Sequence, residues 1–226
     1  MKKKRFFSYG YSGTKYITRL TAKYIECKHE NIRIPLPDGP TGTPMIGPHI
    51  PFDILASFAP ARFLSELSGA VLIYADPRNA VLSLLPVLKT SRNLAAAELR
   101  ASYRRHKHAS HIFYENEYPP TEPEPDFKPF YRFFNSWLAS EAPFDICFLK
   151  YEKIVENRYR LADFLEIPED KKELYCSEIL TTFRSRKSNY KKLPAKKQDE
   201  LNEMFSELID IQSVLGDFWI KEKKCY

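Results

Sequence analysis

Between Ser8 and Tyr16 the chain reads Tyr9-Gly10-Tyr11-Ser12-Gly13-Thr14-Lys15, packing two glycines, a serine, a threonine and a lysine into one short turn. Lys2 to Ser8 before it suit a strand, and Tyr16 to Glu26 after it carry a helical pattern. A strand, a small-residue turn and a helix start form a phosphate-binding arrangement. The first helical N–H groups have no intrahelical partner and the helix dipole favours an anion there. Gly10 and Gly13 allow close backbone approach, Ser12 and Thr14 offer hydroxyls, and Lys15 adds a cation. Capping of the helix by Ser12 or Thr14 is the alternative reading. The turn lacks the Gly-Lys-Ser/Thr ending of a Walker A loop.

Two further stretches hold chemistry. His49 sits in the proline-rich run Gly47-Pro48-His49-Ile50-Pro51. Thr182 to Lys192 form a dense basic stretch that includes Arg184, Arg186 and Lys187. His106, His108 and His111 make an H-x-H-x-x-H string without an acidic or cysteine partner nearby, so a metal site is not expected.

The elements that would position these residues alternate. Gly69 to Ala75 is a continuous apolar run and reads as a buried parallel strand, followed by a turn at Asp76-Pro77-Arg78-Asn79 and a helix from Ala80. A short helix is expected over Asp53 to Leu67, and others over Thr90 to Arg105 and Phe130 to Ser140. Phe144 to Lys150 reads as a strand, with Tyr151-Glu152-Lys153 at its carboxyl end leading into a helix to Phe164. Later helices are expected over Pro168 to Thr181 and Pro194 to Leu215, and His106 to Lys128 as a proline-rich lid or loop. Alternation of this kind implies a parallel sheet with right-handed crossovers and a ligand at the carboxyl ends of its strands.

With 226 residues, one domain covering 1–226 is expected. The excess of 35 basic over 29 acidic residues suits an anionic ligand. Four scattered cysteines without a C-x-x-C pair read as reduced thiols, and the stretch after the basic start is too short and polar for a signal peptide. A cytoplasmic protein without an integral membrane segment is the expectation.

In this order the motifs resemble the sulfotransferase family, whose members use 3′-phosphoadenosine 5′-phosphosulfate. The family's Lys-Ser-Gly-Thr turn is matched by Tyr11-Ser12-Gly13-Thr14, and its Lys-Thr-His-Leu-Pro segment by Gly47-Pro48-His49-Ile50-Pro51. Its Arg-Asn-Pro-Arg-Asp motif and following serine correspond to Ala75-Asp76-Pro77-Arg78-Asn79 and Ser83. Its Tyr-Glu-Asp-Leu segment, closing on Phe-Leu-Gly, corresponds to Tyr151-Glu152-Lys153-Ile154 and Phe164-Leu165-Glu166. Its basic loop corresponds to Phe183-Arg184-Ser185-Arg186-Lys187. Tyr11 replaces the family's lysine and Ala75 its first arginine.

The resemblance implies a three-layer α/β/α domain with a mainly parallel sheet and a P-loop-like phosphate-binding turn. It implies transfer of a sulfuryl group to a hydroxyl or amine on a small-molecule, glycan or lipid acceptor, without metal and without nucleic acid. His49 would take the acceptor's proton. Lys15 would stabilise the leaving 5′-phosphate, held at the turn by Tyr11, Ser12, Gly13 and Thr14. Ser83 and Arg184, with Arg78 and Arg186 in reserve, would hold the 3′-phosphate of the product adenosine 3′,5′-bisphosphate. Tyr16 and Tyr151 would contact the adenine. Each has a plainer alternative: a surface histidine at 49, a helix-start arginine at 78, a core tyrosine at 151, a solvated basic loop at 184–192. A non-catalytic polyanion-binding member, or a kinase-like phosphotransferase, are the competing functions.

Overall fold

A computed structural model of the chain describes residues 3–8, 14–25, 32–33, 45–46, 52, 55–56, 61–80, 128–183 and 190–223. Four strands form an open sheet: β1 (Lys3–Ser8), β4 (Leu67–Tyr74), β5 (Asp145–Lys150) and β6 (Phe218–Lys221), in that spatial order. β1 and β5 both run parallel to β4, and β6 closes the far side antiparallel to β5. Ile32–Arg33 (β2) and Met45–Ile46 (β3) make a separate antiparallel pair.

β4 lies between two parallel neighbours, and from Gly69 onward every one of its residues is buried. That is why its sequence, GAVLIY, is apolar without alternation. Successive side chains still point to opposite faces. Phe7, Leu72, Tyr74 and Phe148 join one apolar cluster with Phe133, Phe134 and Trp137 of helix α3 (Lys128–Ala139) and with Phe205 and Leu208. Phe6, Val71, Ile73, Cys147 and Leu149 join the other, with Ile17 and Leu20 of α1 (Thr14–Thr21). Leu161 of α4 (Arg158–Phe164) and Tyr175, Cys176 and Ile179 of α5 (Glu169–Thr182) complete that second face. Between α1 and β4 lies a short helix, α2 (Ala61–Ser65).

The strands and most helices fall where their patterns place them, with several differences. α1 ends at Thr21 and gives way to turns through Ile25, earlier than Glu26. After β5 the chain makes a 3₁₀ turn, Tyr151–Lys153, and resumes a helix only at Arg158. The helix expected over Pro194 to Leu215 is two, α6 (Ala195–Met204) and α7 (Ser206–Leu215). The break is Phe205, whose backbone sits at φ −112°, ψ 13° and whose ring is fully buried. Burial of an aromatic ring outweighs the few helical bonds lost at the joint. The fourth is β6, which the pattern left unread. Gly216, at φ 72°, lets the chain leave α7 and enter it, and the Tyr74 hydroxyl donates to the Gly216 carbonyl. Of the helix expected over Asp53 to Leu67, the structure describes α2 at Ala61–Ser65, with Phe52 and Leu55 buried before it, and Leu67 belongs instead to β4, where it pairs with Lys3. The helix expected over Thr90 to Arg105 lies outside the described residues, as does the lid or loop expected over His106 to Lys128 except for Lys128, which begins α3.

α3 packs through aromatic rings. Trp137 has no exposed surface, and its ring lies 4.4 Å from that of Phe7 and 5.2 Å from that of Phe52. The carbonyls at the helix's end are met by Lys221, whose Nζ donates to Leu138 O at 2.6 Å and to Ser140 O. Trp137→Ala should therefore cost about 3–5 kcal/mol in urea unfolding, the usual range for emptying a large aromatic site. Val214→Ala, at a position 86% exposed, should stay within about 0.5 kcal/mol of the parent.

Candidate functional site

The parallel register brings three strand ends to one edge. Ser8 pairs with Ile73 across β1 and β4, and Tyr74 pairs with Lys150 across β4 and β5. The turn at Asp76 and Tyr151 therefore leave from that edge, and α1, from Thr14, is the next described element after β1.

The Asp76 turn is built by its own side chain. Asp76 Oδ1 accepts the Arg78 N–H at 2.9 Å, and its carbonyl accepts the Ala80 N–H at 2.9 Å. Pro77 occupies the first helical position, where its missing N–H costs nothing. Arg78 returns along the same carboxylate: Nε donates to Oδ1 at 2.9 Å and Nη2 to Oδ2 at 2.6 Å. Its Nη1 donates to Asn202 Oδ1 at 2.7 Å, and the guanidinium lies 4.3 Å from the centre of the Tyr190 ring. The bond to Asp76 raises the Arg78 pKa above its already high range.

Glu152, in the first turn after β5, reaches back across the edge. Its Oε1 accepts the Asp76 N–H at 3.1 Å, while Oε2 is buried and, among the described residues, has no hydrogen-bond partner. Burial, the larger cause, and the nearby Asp76 charge push its carboxyl upward. Tyr151 beside it is half-buried and meets Phe183 edge-on, ring centres 6.4 Å apart. Tyr16, in the first turn of α1, is 62% exposed, while Ile17 and Leu20 on the same helix are buried.

Of the residues the sequence singled out, Arg78 and Tyr151 come to the same edge, and Thr14, Lys15 and Tyr16 begin the helix that follows β1. Tyr11, Ser12, Gly13, His49, Ser83, Arg184 and Arg186 lie outside the described residues, as does the H-x-H-x-x-H string. Arg78 was read as a phosphate ligand in reserve, and here three of its nitrogens already serve Asp76 and Asn202. Sequence reasoning gave no role to Glu152, Tyr190 or Asn202. Glu152 carried a signal, standing next to Tyr151 at a strand end. Asn202 carried none, since it meets Arg78 only across 124 residues. Among the described residues no group of three His, Cys, Asp or Glu is placed to hold a metal ion, and no helix is long and apolar enough to cross a membrane. Compared with known families and curated proteins, the chain matches no family model and no curated relative.

The buried carboxyl leads to a pH test. A carboxyl raised in the folded state favours folding below its ordinary value near 4.5, and that contribution is lost as pH climbs through the raised value. Glu152→Gln keeps an oxygen for the Asp76 N–H and has no proton to lose. Its stability relative to the parent should therefore be more favourable at about pH 7 than at about pH 4 in urea unfolding. A constant difference would show that Glu152 ionises as freely in the fold as in the unfolded chain, and a reversed one that the fold favours its charged form; either contradicts the raised carboxyl.

Proposed function

We propose that this chain is a sulfotransferase of three-layer α/β/α form, with its donor held at the carboxyl edge of the sheet. The observation that carries the reading is that β1 is followed by α1 as the next described element, and that the carboxyl end of β1 lies level with those of β4 and β5. Ligands of parallel α/β sheets bind at that edge, and a helix start there favours a phosphate. The apolar clusters on the two faces of the sheet fit the layered form.

In this reading the donor is 3′-phosphoadenosine 5′-phosphosulfate. Its 5′-phosphate rests on the turn from Tyr11 to Thr14, with Lys15 neutralising charge on the leaving oxygen. The acceptor oxygen or nitrogen attacks sulfur while the bond from sulfur to the bridging phosphate oxygen breaks. That bond's electron pair leaves on adenosine 3′,5′-bisphosphate, and the acceptor's proton passes to the His49 imidazole. Tyr16 is free of the core and can lie against the adenine, with Tyr151 at the end of β5. Since Ala75 offers no charge and Arg78 is held by Asp76, the 3′-phosphate falls to Arg184 and Arg186, with Ser83.

That same economy of charge favours a second reading, a member of the fold that binds the bisphosphate or another polyanion without turnover. A magnesium-dependent phosphotransferase is disfavoured. Asp76 stands where a metal-binding acid would follow β4, but both of its oxygens accept from Arg78.

At about 100 times its dissociation constant, adenosine 3′,5′-bisphosphate should stabilise the protein by roughly 2.7 kcal/mol, and AMP by much less. Thermal unfolding with each nucleotide measures this, and equal effects would remove the 3′-phosphate site. With labelled donor and an acceptor found by screening phenols, sugars and lipid alcohols, His49→Ala should lower turnover by ~10²–10⁴ and leave nucleotide affinity nearly unchanged. Turnover should survive EDTA. Tight nucleotide binding with no active acceptor would favour the non-catalytic reading.

A further inference from the structure

We infer that Arg78 is a positioning residue rather than an anion ligand, tying the C-terminal helices to the carboxyl edge of the sheet and so setting selectivity for the 3′-phosphate. The second half of this inference rests on the bisphosphate-binding reading above. The first half rests on geometry alone.

Arg78 stands at the centre of a closed set of contacts. Asp76 takes its Nε and Nη2 in a two-point fork, at 2.9 and 2.6 Å. Both partners are largely shielded, with 22% and 18% of their side chains exposed. Asn202 Oδ1 accepts from Arg78 Nη1 at 2.7 Å and from the Tyr190 hydroxyl at 2.8 Å. The Tyr190 ring lies under the guanidinium, and the Tyr190 N–H donates to Asn79 Oδ1 at 3.2 Å. Residues 76–79 of the sheet edge thus hold Tyr190 and Asn202, which are more than 110 residues away along the chain.

Two physical points favour positioning over direct binding. An anion approaching Arg78 meets a neutral pair, because the Asp76 carboxylate would repel it as strongly as the guanidinium attracts it. A planar fork stacked on a ring is also a geometry that arginine fills and lysine does not. The held element matters for the site, because Phe183 and Tyr190 bracket residues 184–189 in the chain, among them Arg184, Arg186 and Lys187. Phe183 rests on Tyr151 at the end of β5, and Tyr190 on Arg78 after β4. Both brackets are therefore fastened to the edge where the donor is placed.

Amide hydrogen exchange of the full chain, combined with nucleotide titration, tests both halves. In Arg78→Lys and in Asn202→Ala, amides of residues 190–193 should exchange about ten to a hundred times faster, as expected for losing a charged hydrogen bond. Amides within α5 should exchange at the parent rate, which also verifies that the variants fold. Both variants should lose most of the preference for adenosine 3′,5′-bisphosphate over AMP, although Asn202 carries no charge. Unchanged exchange at 190–193 in Arg78→Lys overturns the clamp. Loss of the preference only when Arg78 is replaced, with Asn202→Ala like the parent, overturns positioning and makes Arg78 a direct ligand. If the parent binds neither nucleotide, the sulfotransferase reading and the selectivity half fall together, and exchange alone decides the clamp.

Discussion

Strand β4 is the constraint on which the molecule depends. It pairs on both sides with parallel neighbours, and its side chains feed both apolar clusters. Such a strand has no tolerance for a change of register. A slip of one residue would exchange Leu72 and Tyr74 with Val71 and Ile73 and bring each set against the wrong helices. Because the register is held so firmly, the residues that leave the strand are held too. Tyr74 reaches Gly216, Asp76 starts a helical turn, and the Asp76 amide meets Glu152 from the next strand.

The edge built this way is unusual in its use of charge. Asp76 caps a turn, pairs with Arg78 and donates its own N–H to Glu152, so it joins β4 to the residue after β5, and Arg78, bonded to Asn202, carries the tie on to the C-terminal helices. A buried carboxyl with one oxygen unpartnered among the described residues is a cost to the fold, since desolvation penalises its charged form. Costs of that kind concentrate at sites kept for function. The opposite edge is plainer. There Lys4, nearly buried, donates to Glu166 at 2.9 Å and lies 4.8 Å from the centre of the Phe164 ring, closing the amino ends of the strands.

The strands that carry the site were legible because burial on both faces removes polar residues from them, as in Ala70 to Ile73 and Ile146 to Leu149. Turn chemistry was legible at Asp76-Pro77 for an equally local reason. The split at Phe205 was not, because the helical pattern runs through it and only the shape of the core decides that its ring turns inward. Strand β6 was missed because four residues next to a charged tail make a weak pattern. The ties of Arg78 to Asn202 and of Tyr151 to Phe183 depend on which helix meets which strand end. No spacing along the chain encodes that.

The proposed adenosine bisphosphate site lies where the strands end and α1 begins. The most direct measurement is to follow backbone amide resonances while adenosine 3′,5′-bisphosphate is titrated in. Shifts should concentrate at residues 14–16, 75–79 and 151–153, with Lys3, Lys4, Leu67 and Glu166 at the opposite edge unmoved. Shifts centred on the amino ends of the strands, or spread evenly over exposed lysines, would contradict the account.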